Sequence, residues 1–319
     1  MGAFVIRRLI VNLGVFLLIT VGIFALVHAA PGDPVEMMIN PEQAGAGGAA
    51  YIAQQRHLLG LDQALPVQYW DWLLNAARGN LGFSYLQHRP VTSVLGERLG
   101  PTLELMGLAI VVSLVVGVPL GIIAAVRRNT VVDYGATVFS LGAISIPPFF
   151  LGITAIYLFS LTWNLLPSAG MSTPGLGSTG DLVRHLVLPV LILGLAAAGP
   201  ITRYARSGLI GELAEDYVRT AEAKGASRSR VVLRHAFRNS LIPLITVIAM
   251  SIPTLLAGAV VIEQVFAWPG MGQLAISSIS QNDYPVIIGF SLYIAALVLF
   301  CNLAADVLYA VADPRVELR

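Results

Sequence analysis

Six long stretches of the chain lack Asp, Glu, Lys and Arg, and no other feature constrains the fold as strongly. They cover residues 9–32, 105–126, 134–180, 186–202, 239–262 and 284–305. A helix needs about 20 apolar residues to cross ~30 Å of hydrocarbon, so each stretch predicts at least one crossing. Charged residues make up only 12% of the chain, about half the fraction of a typical soluble domain. We therefore predict an all-α membrane protein.

The third stretch is too long for one crossing, and its prolines and glycines indicate how it divides. We predict a helix from about Asp133 to Trp163 that bends near Pro147 and Pro148. Prolines and glycines recur from Leu166 to Gly180, which predicts a loop. Such a loop cannot lie in hydrocarbon, where unpaired backbone groups are costly. The chain is thus predicted to have six transmembrane helices.

Basic residues are divided unequally between the two sides that six crossings create. The side of both termini has 14 Lys and Arg residues, and the opposite side has 5. The more basic side of a membrane protein is normally cytoplasmic. We therefore predict that both termini are cytoplasmic.

The first apolar stretch has two interpretations. Arg7 and Arg8 precede it, and Val27–Ala30 resembles a signal-peptide cleavage site. Its apolar core is longer than the roughly 7–15 residues of a signal peptide, which favours a retained helix over a cleaved one. The chain then divides into three parts: residues 1–30 with the first crossing, an external segment at 31–100, and a core at 101–319 with the other five crossings.

The external segment is the one sizeable part outside the predicted crossings. Residues 40–50 are rich in Gly and Ala and predict a loose loop. Residues 54–77 have helical spacing, with a break at Pro66. The role of this segment remains open: it is an amphipathic cap on the helices, or else a lid or a docking surface for a partner.

The segment 203–240, called the basic loop below, contains eight of the 19 Lys and Arg residues. Residues 207–224 are good helix formers. One face of that helix is apolar or small: Ile210, Leu213, Tyr217 and Ala221. Gly225 is a natural helix end, and Ser227 can cap a second helix. We predict two cytoplasmic helices joined by a tight turn; the alternative is a solvated basic loop without further order.

Four stretches of the chain form a combined signature: Pro31–Pro34, Tyr217–Pro243, Glu263–Gly272 and Asp306–Arg315. Together they resemble the inner-membrane permease subunits of dipeptide and oligopeptide ABC importers, a group that also includes nickel permeases. The resemblance extends from Arg7 to Arg315. It implies the type I ABC-importer permease fold, with cytoplasmic coupling helices, in a bacterial or archaeal cytoplasmic membrane.

In that family the basic loop holds a coupling helix that docks on a cytoplasmic ATPase. The resemblance implies this role for Tyr217, Arg219, Thr220, Ala221, Glu222, Ala223, Lys224, Gly225, Ala226 and Ser227. The chain departs from the family at 219–221, where Arg-Thr-Ala replaces Glu-Ala-Ala. It also has Glu222 where many peptide permeases have Arg, which puts the charge match with the ATPase in doubt.

The resemblance also implies the partners. They are a second homologous permease subunit, two cytoplasmic ATPase subunits or domains, an external substrate-binding protein and membrane lipid, but no nucleic acid. ATP and Mg²⁺ would bind the ATPase subunits. The chain itself has one lysine, Lys224, which lacks the P-loop spacing. We therefore expect no ATP site, no resident cofactor and no catalytic residue in this chain, although a membrane enzyme remains an alternative.

Four acidic residues lie near the ends of apolar stretches: Glu104, Asp133, Glu263 and Asp306. We interpret them as helix-end or interfacial contacts rather than as an ion path. None is expected at the centre of the bilayer, and an ion-coupled secondary carrier would normally need a buried carboxylate, so the pattern disfavours this alternative.

The substrate path cannot be assigned from the sequence. Four aromatic residues could line it, but we expect them to pack in the core: Phe149, Phe150, Tyr157 and Trp163. Prolines within the helices are either simple kinks or hinges. The resemblance favours peptides as the substrate, with a metal chelate such as nickel as the alternative.

Overall fold

The computed structural model describes residues 2–29, 52–54, 56–57, 60 and 62–312, and these residues are mainly helical. Within this part, strand pairing is limited to an isolated bridge between Phe83 and Pro90. The first and last signature stretches and the loose loop at 40–50 lie wholly or partly outside the described residues. The predictions made for those stretches stay predictions.

Helices are numbered in chain order. They are α1 (Gly2–Ala29), α2 (Leu65–Ala77), α3 (Val91–Val126), α4 (Val131–Ser145), α5 (Pro148–Ala155), α6 (Thr179–Leu213), α7 (Asp216–Ala223), α8 (Arg228–Arg230), α9 (Phe237–Val265), α10 (Met271–Ser280) and α11 (Tyr284–Ala312). A π-helical segment, Ile156–Thr162, extends α5, and another, Val231–Ala236, joins α8 to α9.

Five of the described helices are long and apolar enough to cross a membrane, namely α1, α3, α6, α9 and α11. The pair α4 and α5 qualifies as a sixth crossing, with a bend of 97° between its halves. The number of crossings and the position of the bend therefore match the prediction. Pro147 and Pro148 have no amide hydrogen, so α4 cannot continue through them, and Pro148 is suited to start α5.

The described chain divides into two compact units. The larger comprises residues 100–273 with short terminal pieces, and the smaller comprises residues 7–99 and 274–299. In the larger unit α6 is the most buried of the predicted crossings. Its neighbours approach it closely: a Cβ on Gly121 of α3 would lie 2.6 Å from the Cβ of Ala205. Small residues at such contacts allow the close backbone approach on which helix packing in membranes depends.

In the smaller unit α2 packs on α1. The hydroxyls of Tyr69 and Thr20 are 2.8 Å apart, and the ring of Tyr69 meets that of Phe24 edge to face. Asp283 is buried and accepts hydrogen bonds from the Ser84 hydroxyl and the Tyr85 amide. Pro66 lies in the first turn of α2 rather than inside a longer helix. This packing fits the cap interpretation of the external segment, while partner docking stays a prediction.

The predicted loop at 166–180 is confirmed up to residue 178, where α6 is about to begin. It is tied to neighbouring helix ends: the Gly170 amide donates to the Phe266 carbonyl at 2.7 Å. The amide and hydroxyl of Thr173 both donate to the Asp181 carboxylate, at 2.6 and 2.7 Å. Ser178 accepts a hydrogen bond from the Asp181 amide and so caps α6.

Candidate functional site

The basic loop does not contain the single helix predicted for residues 207–224. Helix α6 runs to Leu213, the chain is extended at Glu215, and α7 then starts as a separate helix. Leu209 and Val218 are both buried in one apolar cluster. At 100° per residue, these two side chains would lie on opposite faces of a continuous helix. The break between α6 and α7 allows both side chains to be buried on the same side. The prediction of one continuous helix is therefore wrong.

The end of α7 was predicted correctly. Gly225 has a φ of +82°, the left-handed conformation that glycine adopts at low cost. The Gly225 amide donates to the Glu222 carbonyl at 2.9 Å, and the Ala226 amide donates to the Ala221 carbonyl at 3.1 Å. These two hydrogen bonds define a Schellman motif. The turn after α7 therefore has a fixed geometry.

The second predicted helix begins after Ser227, as expected. The Ser227 side chain, however, makes no hydrogen bond that caps this helix. The helix continues through the π-helical segment into α9, so it is the start of a membrane crossing rather than an independent helix. The basic loop thus consists of one short separate helix, α7, held between the ends of two long ones.

Six buried residues form the base under α7, called the loop core below. They are Ala125, Leu209, Val218, Val231, Val232 and Ala236. They come from α3, α6, α7 and the π-helical segment before α9. Burying a Val or Leu side chain, as four of the six are, stabilises a fold by about 1.5–3 kcal/mol. Helix α7 thus shares one apolar core with the ends of three helices.

The ten residues assigned to ATPase coupling lie together on α7 and its turn. Ala221 and Ala226 are half-buried against the loop core, and the other eight are exposed: Tyr217, Arg219, Thr220, Glu222, Ala223, Lys224, Gly225 and Ser227. Eight of the ten thus form an exposed surface around α7 and its turn, and Ala221 and Ala226 join this surface to the loop core. Sequence reasoning missed Val218, which anchors this surface and is buried.

Charges on this surface interact only weakly with one another. Arg219 is 3.6 Å from Asp216, and Arg228 is 4.0 Å from Glu222. Exposed pairs of this kind contribute at most about 1 kcal/mol. Among the described residues, Lys224 has no ion-pair partner. These side chains can therefore be turned toward a partner at low cost.

Tyr217 is the most constrained of the ten. Its hydroxyl donates to the Glu212 carboxylate at 2.5 Å. Partial burial, and then the Glu212 carboxylate, raise the pKa of Tyr217 to about 12. The phenol is therefore neutral at physiological pH and can donate a hydrogen bond.

A second feature of the larger unit is a cavity of about 510 Å³ between α4, α5, α6 and α9. Residues 143–148, at the break between α4 and α5, form one wall. Pocket volumes of about 300–1,000 Å³ are typical of small-molecule sites. Four hydroxyl-bearing residues line it: Ser145, Tyr204, Ser251 and Thr254. The described lining contains no charged side chain.

The four aromatic residues considered for the path neither line this cavity nor pack in the core. Phe149, Phe150, Tyr157 and Trp163 are all exposed in the chain. The core-packing prediction is therefore wrong. Lipid is as apolar as a protein core, so a membrane helix is not required to bury its aromatic side chains against its own chain.

Two of the acidic residues make buried helix-end contacts, as predicted. Glu263 is fully buried near the end of α9 and accepts from the Thr102 hydroxyl at 2.6 Å. It also accepts from the amides of Gly272 and Gln273 in the first turn of α10, at 2.7 and 3.2 Å. We call these four residues the Glu263 network. The hydroxyl and the two amides are all neutral donors, so they stabilise the carboxylate without supplying a positive charge.

Asp133 is held differently, in the first turn of α4. It forms an ion pair with Arg206 of α6 and accepts from the Asn129 amide at 2.9 Å. Glu104 is half-buried within α3 rather than at its end, and the side chain of Asp306 lies outside the described part of the structure. Among the described residues, no cluster of His, Cys, Asp and Glu could hold a metal ion.

Comparison with known proteins adds two family matches. Residues 117–318 match the family described as binding-protein-dependent transport system inner membrane component, and residues 1–106 match the N-terminal family of the same membrane components. A peptide permease protein of Brucella suis biovar 1 is 44% identical over 315 residues, covering 98% of both chains. The oligopeptide transport system permease protein AppB of Bacillus subtilis is 38% identical, covering 99% of this chain and 100% of the relative.

Among solved structures, a chain of the MetNI methionine ABC transporter in an inward-facing conformation is similar. The TM-score is 0.55 at 19% identity, over 69% of this chain and 96% of that chain. At this level of identity the likeness shows the fold alone.

Proposed function

Because this chain belongs to the inner membrane components of binding-protein-dependent transport systems, we propose that it carries peptides across the cytoplasmic membrane as the permease subunit of an ABC importer. The similarity of nearly the whole chain to two peptide permeases supports the peptide substrate more than any other observation. The helices and the similarity to a chain of a methionine ABC transporter agree with the type I importer permease fold. Di- and oligopeptides both fit this proposal.

We propose that α7 and its turn dock on an ATPase subunit. Three features support this: the ten residues are adjacent on α7 and its turn, eight of them are exposed, and Ala221 and Ala226 pack on the loop core. The basic loop has eight basic and four acidic residues, a formal charge of +4. Complementary charges of this kind orient a partner and speed its encounter more than they add affinity.

The remaining partners follow from the same proposal. A second permease subunit completes the path, an external binding protein delivers the peptide, and two ATPase subunits or domains hold ATP and Mg²⁺. The basic loop and both termini then face the cytoplasm, in agreement with the excess of basic residues on that side.

A substitution at Gly225 tests the docking role directly. A Cβ at this position would meet no atom within 4 Å, so a larger side chain fits within the chain itself. Gly225→Ala and Gly225→Trp both carry the backbone strain of a positive φ, and only the Trp variant adds bulk on the surface. We expect Gly225→Trp to reduce copurification of ATPase subunits and ATP-driven peptide uptake by about tenfold or more relative to Gly225→Ala.

Equal copurification and uptake in the two variants would contradict the docking role. The uptake assay also separates the alternatives. Uptake that continues without ATP and stops when the ion gradient is removed indicates a secondary carrier. Uptake of nickel chelates in place of peptides indicates the metal-transporting branch.

A further inference from the structure

The break between α4 and α5 leaves backbone acceptors without donors. In an uninterrupted helix, the amides of residues 147 and 148 would donate to the carbonyls of Ala143 and Ile144. Both positions are proline, which has no amide hydrogen. Both carbonyl-bearing residues line the 510 Å³ cavity. The residues that form this wall therefore carry backbone oxygens that α4 itself cannot satisfy.

These oxygens belong to the break inside the crossing that α4 and α5 are suited to form, where the surroundings of a backbone are restricted. Irregular backbone within the hydrocarbon region is tolerated only when it is buried in protein or lines a water-filled space. The chain does not bury the break: Ile146 is 39% exposed, and Pro147 is exposed as well. The carbonyls therefore require donors from outside α4, and water in the adjoining cavity can supply them.

The opposite walls are mainly apolar but include hydroxyls that can bind water or a polar solute. Thr254 of α9 is exposed to the cavity region although it lies in the middle of an apolar crossing. Ser251, one turn earlier, donates to the Val247 carbonyl at 2.7 Å, which leaves its oxygen able to accept. Tyr204 of α6 adds a third hydroxyl. Hydroxyls and carbonyls are the groups that hydrogen-bond to a peptide backbone.

From these observations we propose that the cavity is a water-filled section of the peptide path, and that its polar lining is electrically neutral. This inference rests on the proposed peptide-import function. The hydroxyls and free carbonyls contact the backbone of the passing peptide, which every peptide shares. Since the described lining has no charged side chain, this section does not select among acidic, basic and neutral peptides.

The position of the cavity also links it to the docking surface. Tyr204 in the cavity wall and Leu209 in the loop core belong to the same helix, α6, and are five residues apart. At 1.5 Å per residue this is a separation of about 8 Å along the helix. A displacement of the loop core is therefore transmitted to the cavity wall within one rigid element.

Thiol accessibility tests whether the cavity contains water. Cys301 is the one cysteine of the chain, so Cys301→Ala gives a cysteine-free background. In the assembled transporter in lipid nanodiscs, Ser251→Cys and Thr254→Cys are treated with sulfonatoethyl methanethiosulfonate, and modification of this chain is followed by mass spectrometry. Val115→Cys is the control, because Val115 is exposed in the middle of the crossing α3 and lies outside the cavity.

We expect both cavity variants to react at least about tenfold faster than the control. If the two cavity variants are labelled no faster than Val115→Cys, the proposal is overturned. This holds whether lipid or a second protein covers the break between α4 and α5. This result does not depend on transport, so it is separate from any failure of the proposed function.

A charge placed in the cavity tests whether peptides pass through it. The measured quantity is the ratio of Ala-Glu-Ala uptake to Ala-Lys-Ala uptake in proteoliposomes, compared between Thr254→Asp and the neutral, nearly isosteric Thr254→Asn. A negative charge beside the path repels the acidic peptide. We expect the ratio to fall about tenfold in Thr254→Asp and to stay within twofold of the unsubstituted value in Thr254→Asn.

An unchanged ratio in Thr254→Asp, with both uptakes reduced equally, indicates a structural effect only and overturns the path assignment. Absence of uptake of either peptide by the unsubstituted transporter contradicts the proposed function instead. The two failures are thus distinguishable.

Discussion

The Glu263 network and the surface of α7 are both polar regions of an apolar chain, yet they use their polar atoms in opposite ways. Glu263 is fully buried, and a hydroxyl and two amides donate to its carboxylate. On α7 the side chains of Arg219 and Asp216 are 75% and 97% exposed and make only a long contact. Buried polar atoms hold helices together, whereas exposed ones remain available to a partner. Burial, rather than residue type, separates the structural role from the functional one.

The largest expected effect comes from crowding the Glu263 network. A Cβ on Gly270 would overlap the Glu263 carboxylate, which cannot move without losing its donors. We expect Gly270→Ala to lower the free energy of unfolding by about 3 kcal/mol or more. Thermal inactivation in detergent micelles measures this. Gly142→Ala is the control, since a Cβ there meets no atom within 4 Å, and it should be neutral or slightly stabilising. Equal midpoints of thermal inactivation for Gly270→Ala and Gly142→Ala would contradict the close packing of Gly270 against Glu263.

Removing the charge of the buried carboxylate should have the next largest effect. In Glu263→Gln the amide nitrogen cannot accept from the amides or from the Thr102 hydroxyl, so at least one buried donor loses its partner. Hydrogen bonds to charged groups contribute about 1.5–3 kcal/mol, and we expect a loss in that range. Glu222→Gln on α7 is the matched variant and should cost less than about 0.5 kcal/mol. Similar losses of unfolding free energy in Glu263→Gln and Glu222→Gln would remove the distinction between the Glu263 network and the surface of α7.

The ion pair of Asp133 and Arg206 is intermediate in exposure between the Glu263 network and the surface of α7. Its carboxylate is buried, but the side chain of its partner Arg206 is 29% exposed. Removing one member of a fully buried pair costs about 3–5 kcal/mol, and solvent access to Arg206 reduces that cost. We expect Asp133→Asn to cost about 1–2 kcal/mol. A double-mutant cycle with Arg206→Gln measures the coupling between the two; a coupling near zero would show that the pair does not hold α4 to α6.

Features that depend on neighbouring residues could be predicted from the sequence. The crossings follow from uninterrupted apolar stretches, the bend from Pro147 and Pro148, and the end of α7 from Gly225. The break before α7 was not predictable in this way, because it follows from burying Leu209 and Val218 in one cluster. The site residues were found through a family signature, and their common surface is a property of the folded chain.

The cavity, too, could not be predicted from residues that are neighbours in the sequence. Its walls come from residues 143–148 and from α9, about 100 positions later in the chain. No local pattern relates these segments. One signal was present, however: two consecutive prolines in an apolar stretch remove two amide donors, and the unsatisfied carbonyls must then face water or protein.

The length of α6 has a consequence for assembly. Its 35 residues span about 52 Å, whereas a bilayer with its headgroups is roughly 40–45 Å thick. The helix is therefore longer than the bilayer is thick by about two turns. Length of this kind is what a helix needs if its end is to contact a globular subunit without displacing lipid.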